Sequence, residues 1–447
     1  MRLWRVGGVF FLIGAEALLY GYTYPFFSLA LAKLDLPNWL IGLNASLASV
    51  GILFVGPFLP RAIDKVGLNR LVALLFAISA ISFVAILVVN SLPVWFAARF
   101  IMGTCFAGLW TTTEIWMNGV VDDRHRGRII GASGTLYATC QFIGPLVLGG
   151  VGVTGSLPLI VAIIPLAAGA IVALTISPAG AGEDENVGDP RTLKFALSIA
   201  GALIAAAFLV GIGETAMQAL LPLYGLAHGI DDAGAARLVA VFALGEAALV
   251  VVLGWAADRY GRRSTLLTCA VAATLASAVM PFAVGSSFTL MPVLFVAGGT
   301  ISGLYTLGVI LIGTDFRGSR LAIVSTGFAM AYAAGSIVGS TPVGYLIDLF
   351  GPEALPVTIA ICFLGLSVFL VLRRSREAAT ESEETSKVSV FDDLPEIKFD
   401  LSFLDRRPSP AATSALPDLD AVFRERAAAV ARRATERELA GTLAAAL

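Results

Sequence analysis

The chain has 447 residues, of which 57% are hydrophobic and 14% charged, with a formal net charge of −2 at pH 7. A soluble globular chain carries about 25% charged residues, so this composition excludes an ordinary soluble protein. Twelve apolar runs supply the roughly 20 residues that a membrane-spanning helix needs, and they lack the polar face of a surface helix. These runs lie near 7–31, 40–59, 71–90, 94–119, 129–151, 157–178, 195–225, 235–256, 265–285, 288–313, 321–346 and 354–372.

The placement of basic residues predicts the orientation of the spans. Eighteen Lys and Arg residues up to residue 376 fall in one set of loops, against Lys33 and Arg237 in the opposite set and Arg99 within a span. By the positive-inside rule the eighteen are cytoplasmic, and both termini are therefore predicted to be cytoplasmic. Four tryptophans stand at predicted helix ends, where an interfacial aromatic belt would place them: Trp4, Trp39, Trp95 and Trp255.

The first predicted span, 7–31, carries Glu16 roughly 13 Å beyond its cytoplasmic start, at about 1.5 Å per residue. An ionised carboxylate in hydrocarbon is costly, so such a residue normally faces a cavity, pairs with a base or takes up a proton. We therefore expect Glu16 and Glu214, an acid of the second half, to line a central cavity and at least one of the two to serve as a protonation site. A purely structural role is the alternative.

The fourth predicted span, 94–119, holds one base and one acid, Arg99 and Glu114. Arg99 must be paired or hydrated inside the membrane, unless it snorkels to the external surface beside Trp95. Glu114 lies within about two turns of the cytoplasmic loop and is expected to act as a gate or as a structural partner.

Aromatic and amide side chains of spans one, four and five accompany these charges. Rings in a cavity bind flat or cationic ligands by stacking and cation–π contact, whereas most rings in helices serve only packing. The candidates for the cavity wall are Tyr20, Tyr24, Trp110, Tyr137 and Gln141.

A polar segment, PAGAGEDENVGDPRT at 178–192, follows the sixth span and reads as a linker. The halves on either side echo each other, with IGAEALLYGYTYPFF at 13–27 against GIGETAMQALLPLY at 211–224. Several echoes in the same order indicate a duplicated six-helix unit. The predicted domains are an N-terminal bundle at 1–178, a cytoplasmic linker at 179–192, a C-terminal bundle at 193–374 and a cytoplasmic tail at 375–447.

The second half adds two intramembrane acids, Glu214 and Glu246. Glu214 is the repeat mate of Glu16, so it should reach a similar depth across the axis between the bundles, where such duplicated membrane folds bind ligands. Glu246 lies about two turns above Asp258 and faces either the cavity or a structural partner.

The loop GWAADRYGRR at 254–263 repeats PRAIDKVGLNR at 60–70. A Gly at a helix end permits close approach of two helices, an Asp can cap the N-terminus of a neighbouring helix, and a second Gly permits a tight turn. Two such clusters at one membrane face predict a lock between the bundles; an ordinary positive-inside loop is the alternative. The candidate gating residues are Asp64, Lys65, Gly67, Gly254, Asp258, Arg259, Gly261, Arg262 and Arg263.

G-W-A-A-D-R-Y-G-R-R resembles the loop signature of the major facilitator superfamily, Gly-x-x-x-Asp-Arg-x-Gly-Arg-Arg/Lys, which that family places between the second and third spans of each half. The resemblance covers residues 1–374, where span count, repeat order and linker agree with it. It implies an all-α membrane protein whose twelve transmembrane helices form two six-helix bundles about a pseudo-two-fold axis. In the first half Pro60 replaces the first Gly, and Leu68 and Asn69 replace the basic pair, so that lock looks weaker.

Two further stretches resemble elements of the same family. R-F-I-M-G at 99–103 is similar to the Arg-x-x-x-Gly element that the family places in span four and associates with proton coupling. GASGTLYATCQFIGPLVLGG at 131–150 is similar to the glycine pattern of its antiporters, with Cys140 in place of one Gly and one extra residue before the final pair. The resemblance implies transport by alternating access, and the antiporter-like pattern favours export.

The C-terminal tail has a different character from the rest of the chain. Its first part, EAATESEETSKVSVFDDLPEIKFD, is polar and charged and is therefore predicted to be disordered. Strong helix formers further on predict one short helix near 418–440.

These features together predict a proton-coupled transporter that exports a small neutral or cationic organic molecule, since four intramembrane acids against one base disfavour a strongly anionic substrate. Uptake by symport, and a transporter-derived receptor that signals through the tail, are the alternatives. The sequence has no nucleophile–His pair, metal cluster or phosphate-binding loop, so neither an enzyme, a cofactor nor ATP-driven pumping is expected. We expect a monomer in a bacterial inner membrane, surrounded by lipid and without a nucleic-acid partner.

Overall fold

A computed structural model describes residues 2–55, 58–120, 126–176 and 190–392 of the chain. Regular structure in these ranges is helical throughout, as expected where lipid leaves backbone groups to be satisfied within each segment. The helices are α1 (Arg2–Ala32), α2 (Asn38–Val55), α3 (Leu59–Val66), α4 (Leu68–Val88), α5 (Leu92–Val120), α6 (Arg126–Val151), α7 (Leu157–Thr175), α8 (Pro190–Ala227), α9 (Asp232–Tyr260), α10 (Arg262–Ala283), α11 (Ser287–Asp315), α12 (Gly318–Phe350) and α13 (Ala354–Asp392).

Each of the twelve predicted spans corresponds to one long helix. Among the described residues, eleven helices are long and apolar enough to cross a membrane. The remaining predicted span, 40–59, corresponds to α2, which has 18 residues. The prediction of an all-α membrane protein with twelve spans is confirmed.

Helix packing repeats between the first half, α1–α7, and the second half, α8–α13. In the first half α1 packs against α6, α2 against α5 and α4 against α5. In the second half α8 packs against α12, α9 against α11 and α10 against α11. The same set of neighbours therefore recurs when one half is superposed on the other, as a pseudo-two-fold relation between two six-helix bundles requires.

The two halves meet through two symmetry-related helix pairs, α2 with α12 and α6 with α9, and α1 packs against α8 near the axis. At the external end, Asp348 of α12 accepts hydrogen bonds from the backbone nitrogens of Asn38 and Trp39, both 2.9 Å away, and from Asn38 Nδ2 at 2.7 Å. Lys33, just after α1, and Asp232, the first residue of α9, form an ion pair of 3.0 Å that also joins the two halves. These contacts close the external side of the molecule.

Glycines allow the helices beside the axis to approach closely. A methyl group on Gly144 of α6 would overlap the Leu18 carbonyl oxygen of α1, and one on Gly21 would overlap the Gln141 carbonyl oxygen. In the second half, a methyl group on Gly335 of α12 would overlap the Phe208 carbonyl oxygen of α8. Small residues of this kind replace the hydrophobic effect as the source of tight helix packing in lipid.

Two details differ from the expectations drawn from composition. Trp95 does not join an interfacial belt: it is 7% exposed, stacks on Phe26 at 5.9 Å between ring centroids, and donates from Nε1 to Asn90. Its ring is held in the core because its one polar atom finds a partner there.

The last helix, α13, continues to Asp392, into the stretch whose polarity predicts disorder. Glu, Ala, Lys and Arg in that stretch are strong helix formers. Met1–Glu377 forms one compact unit. The short helix predicted near 418–440 lies outside the described residues.

The close approach of α6 to α1 predicts the effect of a single added methyl group. Gly144→Ala should destabilise the protein by about 1–3 kcal/mol, because a methyl group at that position overlaps the backbone of α1. Gly150→Ala, on the same helix with open space around it, is the matched control and should change the free energy of unfolding by less than about 0.5 kcal/mol. Thermal unfolding of the two purified variants in detergent measures the difference, and equal stabilities would contradict the packing.

Candidate functional site

Three carboxyl groups from both halves meet near the middle of the membrane-spanning helices. Glu16 lies midway along α1, Glu214 in the middle of the apolar part of α8, and Glu246 midway along α9. We call these residues, with Gln141, Gln218 and Tyr137, the mid-membrane polar cluster. Three helices that are far apart in the sequence thus contribute carboxyl groups at the depth where the hydrocarbon core of the membrane surrounds the protein.

Glu214 has partners within its own half. Its Oε2 accepts a hydrogen bond from the Tyr332 hydroxyl of α12 at 3.1 Å, and its Oε1 accepts one from Gln218 Nε2, one turn along α8, at 3.3 Å. Both carboxyl oxygens are matched, so this group is held in one orientation.

Glu246 links the two halves. Its Oε2 accepts a hydrogen bond of 3.1 Å from Gln141 Nε2 of α6, which belongs to the first half. Its Oε1 is buried and has no hydrogen-bond partner, and the whole residue is 9% exposed. Gln218 also lies beside this carboxyl group, so Glu246 is in contact with both halves.

Glu16 is the most enclosed of the three acids, at 1% exposed, and its Oε2 has no hydrogen-bond partner. The hydroxyl group of Tyr137 lies close enough to interact electrostatically with Glu16, Glu214 and Glu246. The Tyr137 hydroxyl group is therefore within electrostatic range of carboxyl groups from both halves.

Aromatic rings surround the cluster in edge-to-face pairs, the geometry that ring quadrupoles favour. Trp110 and Tyr137 lie 4.6 Å apart between ring centroids in the first half, and Tyr20 and Tyr24 of α1 lie 5.3 Å apart. Across the axis, Tyr332 interacts electrostatically with Tyr20. Aromatic rings of the two halves therefore lie close to one another near the axis.

Tyr305 of α11 extends this aromatic wall, packing on Tyr332 at 5.1 Å between centroids. It also interacts electrostatically with Glu114 of α5, whose side chain is exposed. Glu114 therefore lies at the cytoplasmic side of the cluster, facing the opposite half. Sequence reasoning did not select Gln218 for the site; the helical spacing from Glu214 to Gln218 was the available signal.

Arg99 lies apart from the three carboxyl groups. Its guanidinium group sits 4.2 Å from the Tyr24 ring centroid and 5.0 Å from that of Phe27, a cation–π arrangement on α1. The residue is 2% exposed, and its Nε and Nη2 atoms have no hydrogen-bond partners. Aromatic faces rather than a carboxylate stabilise this charge.

The two cytoplasmic loops of the gating motif adopt the same backbone geometry. Gly67 between α3 and α4 has φ 87° and ψ 145°, and Gly261 between α9 and α10 has φ 92° and ψ 135°. A positive φ favours glycine at both positions. Since two unconnected turns share one unusual conformation, they are structural counterparts in the two halves.

The charged residues of these loops are largely exposed, and the ion pairs described for them lie within the second half. Asp258 near the end of α9 pairs with Arg262 at the start of α10 at 3.7 Å, and Arg263 pairs with Asp315 at 3.4 Å within the second half. Arg259 lies 5.7 Å from the Trp255 ring centroid. Further members of the motif are Asp64 and Lys65, both exposed, and Gly254, which is partly buried.

Asp348 is a functional candidate that sequence reasoning missed. It lies in the last turn of α12, where an acid is unfavourable for its own helix dipole. That position was a usable signal, because the carboxylate instead caps the N-terminus of α2 in the other half. The external contact is thus a helix cap formed between the two bundles.

Comparison with known proteins places this geometry among membrane transporters. A family model described as Major Facilitator Superfamily matches residues 9–237 and 203–431. The uncharacterized MFS-type transporter YfkF of Bacillus subtilis (strain 168) is 25% identical over 344 residues, covering 75% of this chain and 86% of the relative. The uncharacterized MFS-type transporter YcaD of Salmonella typhi is 25% identical over 351 residues, covering 76% and 88%.

Two solved structures share the fold at low sequence identity. The nucleoside transporter NupG has a TM-score of 0.69 and 14% identity, covering 82% of this chain and 98% of that chain. A D-xylose-proton symporter has a TM-score of 0.64 and 14% identity, covering 82% and 97%. At these identities the likeness concerns the fold alone.

The cap formed by Asp348 predicts how the external side opens. Asp348→Ala removes three hydrogen bonds to a carboxylate, and bonds to charged groups contribute about 1.5–3 kcal/mol each. The externally open population should therefore rise by about tenfold or more. Pulsed EPR distances between spin labels at the exposed positions Leu34 and Phe350, one in each half, measure this population.

The matched control for that experiment is Asp231→Ala. Asp231 caps Gly234 of α9 at 3.0 Å, so it acts within one half and should leave the distance distribution unchanged. An unchanged distribution for Asp348→Ala would show that the cap does not hold the external side closed.

Proposed function

The chain belongs to the major facilitator superfamily, and we propose that it is a proton-coupled secondary transporter that exports a small neutral or cationic organic molecule by alternating access. As a member of that superfamily it is a multi-pass membrane transporter and not an enzyme. The proposal adds the coupling ion, the class of substrate, the direction and a bacterial inner membrane as the location, with the monomer as the working unit.

The observation that carries the proposal is the mid-membrane polar cluster. Its three carboxyl groups come from α1, α8 and α9, and Gln141 of the first half binds Glu246 of the second. Carboxyl groups at this depth are rare and mark substrate or proton pathways. A site shared by both halves is where rocking of one bundle against the other changes the environment of a bound ligand.

Alternating access is supported by the unequal ends of the molecule. The contacts between halves described above lie from the cluster to the external end, whereas the charged loops at the cytoplasmic end are exposed. This arrangement fits a state that is closed outside and reached from the cytoplasm. In the opposite state we propose that Asp64 and Asp258 contact helix N-termini of the other half.

Proton coupling follows from the cost of leaving carboxylates charged in the interior. Glu16 and Glu246 are buried with one unmatched oxygen each, so a proton on either group removes a costly charge. A D-xylose-proton symporter among the solved relatives indicates that the fold accommodates such coupling. We propose Glu16 as the principal proton site because it is the least exposed.

Export is the proposed direction, and uptake by symport is the alternative. The antiporter-like glycine pattern of α6 supports export. Gly144 belongs to this pattern and permits the close packing of α6 on α1 beside Gln141. Everted vesicles with an acidic interior distinguish the two directions. A proton-coupled exporter accumulates its substrate inside them in exchange for protons that leave.

Replacing Glu16 should abolish proton exchange. In everted vesicles with an established pH gradient and a fluorescent pH reporter, an added substrate should discharge the gradient in wild type. With Glu16→Gln it should leave the gradient at the level of vesicles without the protein, since a neutral amide takes up no proton. Asp35→Asn is the matched control, because Asp35 is exposed in an external loop at φ 52°, a conformation that Asn tolerates.

Two outcomes would contradict this assignment. A substrate that discharges the gradient equally through Glu16→Gln excludes Glu16 as the proton site. Labelled substrate that crosses in wild type without any proton movement excludes coupling and leaves a uniporter.

Removing the tail separates transport from signalling. Deletion of residues 378–447 leaves the compact unit Met1–Glu377, so substrate flux in vesicles should stay within about twofold of wild type, corresponding to well under 1 kcal/mol. Loss of all flux in a variant that still reaches the membrane would favour the receptor hypothesis.

A further inference from the structure

We propose that the mid-membrane polar cluster binds an organic cation whose charged group carries N–H donors, such as an amidinium or a primary ammonium, attached to a flat apolar body. This inference rests on the proposed transport function and narrows its substrate class. It excludes quaternary ammonium ions, neutral molecules of the same shape and anions as preferred ligands.

The first step is the pair of carboxyl oxygens without partners. Glu16 Oε2 and Glu246 Oε1 are buried without a hydrogen bond, in residues that are 1% and 9% exposed. They belong to opposite halves, and the Tyr137 hydroxyl group is within electrostatic range of both carboxyl groups. An unmatched buried acceptor is costly, so a ligand gains free energy there by supplying donors.

The second step is the contrast with Glu214. Tyr332 and Gln218 already donate to its two oxygens, so this carboxyl group contributes charge but needs no further donor. The demand for donors is therefore confined to one oxygen on α1 and one on α9. A charged group with N–H bonds supplies the donor that each of these acceptors lacks, as guanidinium and amidinium groups do with carboxylates.

The third step is charge. Glu16, Glu214 and Glu246 bring three acids together, while Arg99 is held by the rings of Tyr24 and Phe27 instead. A buried acid stays charged only when an opposite charge compensates it. Hydroxyl groups of a neutral ligand would supply donors without that compensation, and a quaternary ammonium ion would supply charge without donors.

The last step concerns the body of the ligand. Trp110 packs edge-to-face on Tyr137, and Tyr305 packs in the same way on Tyr332 across the axis. Aromatic side chains of this kind bind flat groups by stacking and cations by the face of the ring. A flat substituent next to the cationic group therefore matches the wall of the cluster.

Three small probes of similar shape separate these requirements. Benzamidine carries charge and N–H donors, phenyltrimethylammonium carries charge alone, and benzamide carries N–H donors alone. Binding of each to the purified full-length protein, measured by isothermal titration calorimetry, should favour benzamidine by about tenfold or more over both others. In Glu16→Gln and Glu246→Gln the preference over benzamide should fall, because the amide removes the negative charge, whereas Asp35→Asn should retain it.

Each outcome bears on the inference in a defined way. Equal binding of phenyltrimethylammonium overturns the requirement for donors, and equal binding of benzamide overturns the requirement for charge. These results come from the wild-type protein, so they do not depend on whether a variant folds. Absence of benzamidine binding at millimolar concentration overturns the inference as a whole; the proposed function then still stands if any other compound discharges the pH gradient through wild type, and fails if none does.

Discussion

The structure depends on one constraint: a carboxyl group in the membrane interior must be matched by a donor, a cation or a proton. Three such groups meet at mid-depth, and the protein matches them to different degrees. Glu214 has donors at both oxygens, Glu246 has a donor at one, and Glu16 keeps a buried oxygen without any. An oxygen without a partner gains free energy when a ligand or proton binds it, whereas an oxygen with a donor gains little. Binding therefore stabilises mainly Glu16 of α1 and Glu246 of α9.

Close backbone packing makes that arrangement possible. Gly21 and Gly144 bring α1 and α6 together one helical turn from Gln141, and Gly335 brings α12 against α8 near Tyr332. Gln141 and Tyr332, two of the hydrogen-bonding partners of the carboxyl groups, are thus carried on helices held close by glycine. In lipid, where apolar side chains gain little from association, such packing is a main source of helix affinity, so the same glycines stabilise the bundle and position the site.

Sequence patterns predicted the twelve spans and the duplicated loops because both rest on local chemistry: unbroken apolar runs, and a Gly at a turn that needs positive φ. The depth of Glu16, Glu214 and Glu246 also followed from counting residues along a helix. What could not be predicted were contacts between distant segments. The cap of α2 by Asp348, the rings around Arg99 and the burial of Trp95 each depend on which helix lies beside which.

The external cap and the polar cluster are joined through the helices that carry both. The pair α6 and α9 holds the Gln141–Glu246 bond at mid-depth, and at its external end Lys33 of the adjoining loop reaches Asp232, the first residue of α9. A ligand shifts the balance between two states only by binding them unequally. The cation proposed for the cluster binds acids of both halves, so its affinity differs between states in which the halves are placed differently. It donates to the unmatched Glu246 Oε1 and leaves the Gln141 bond to Oε2 in place. Occupancy at mid-depth is therefore coupled to closure outside through the placement of the two halves.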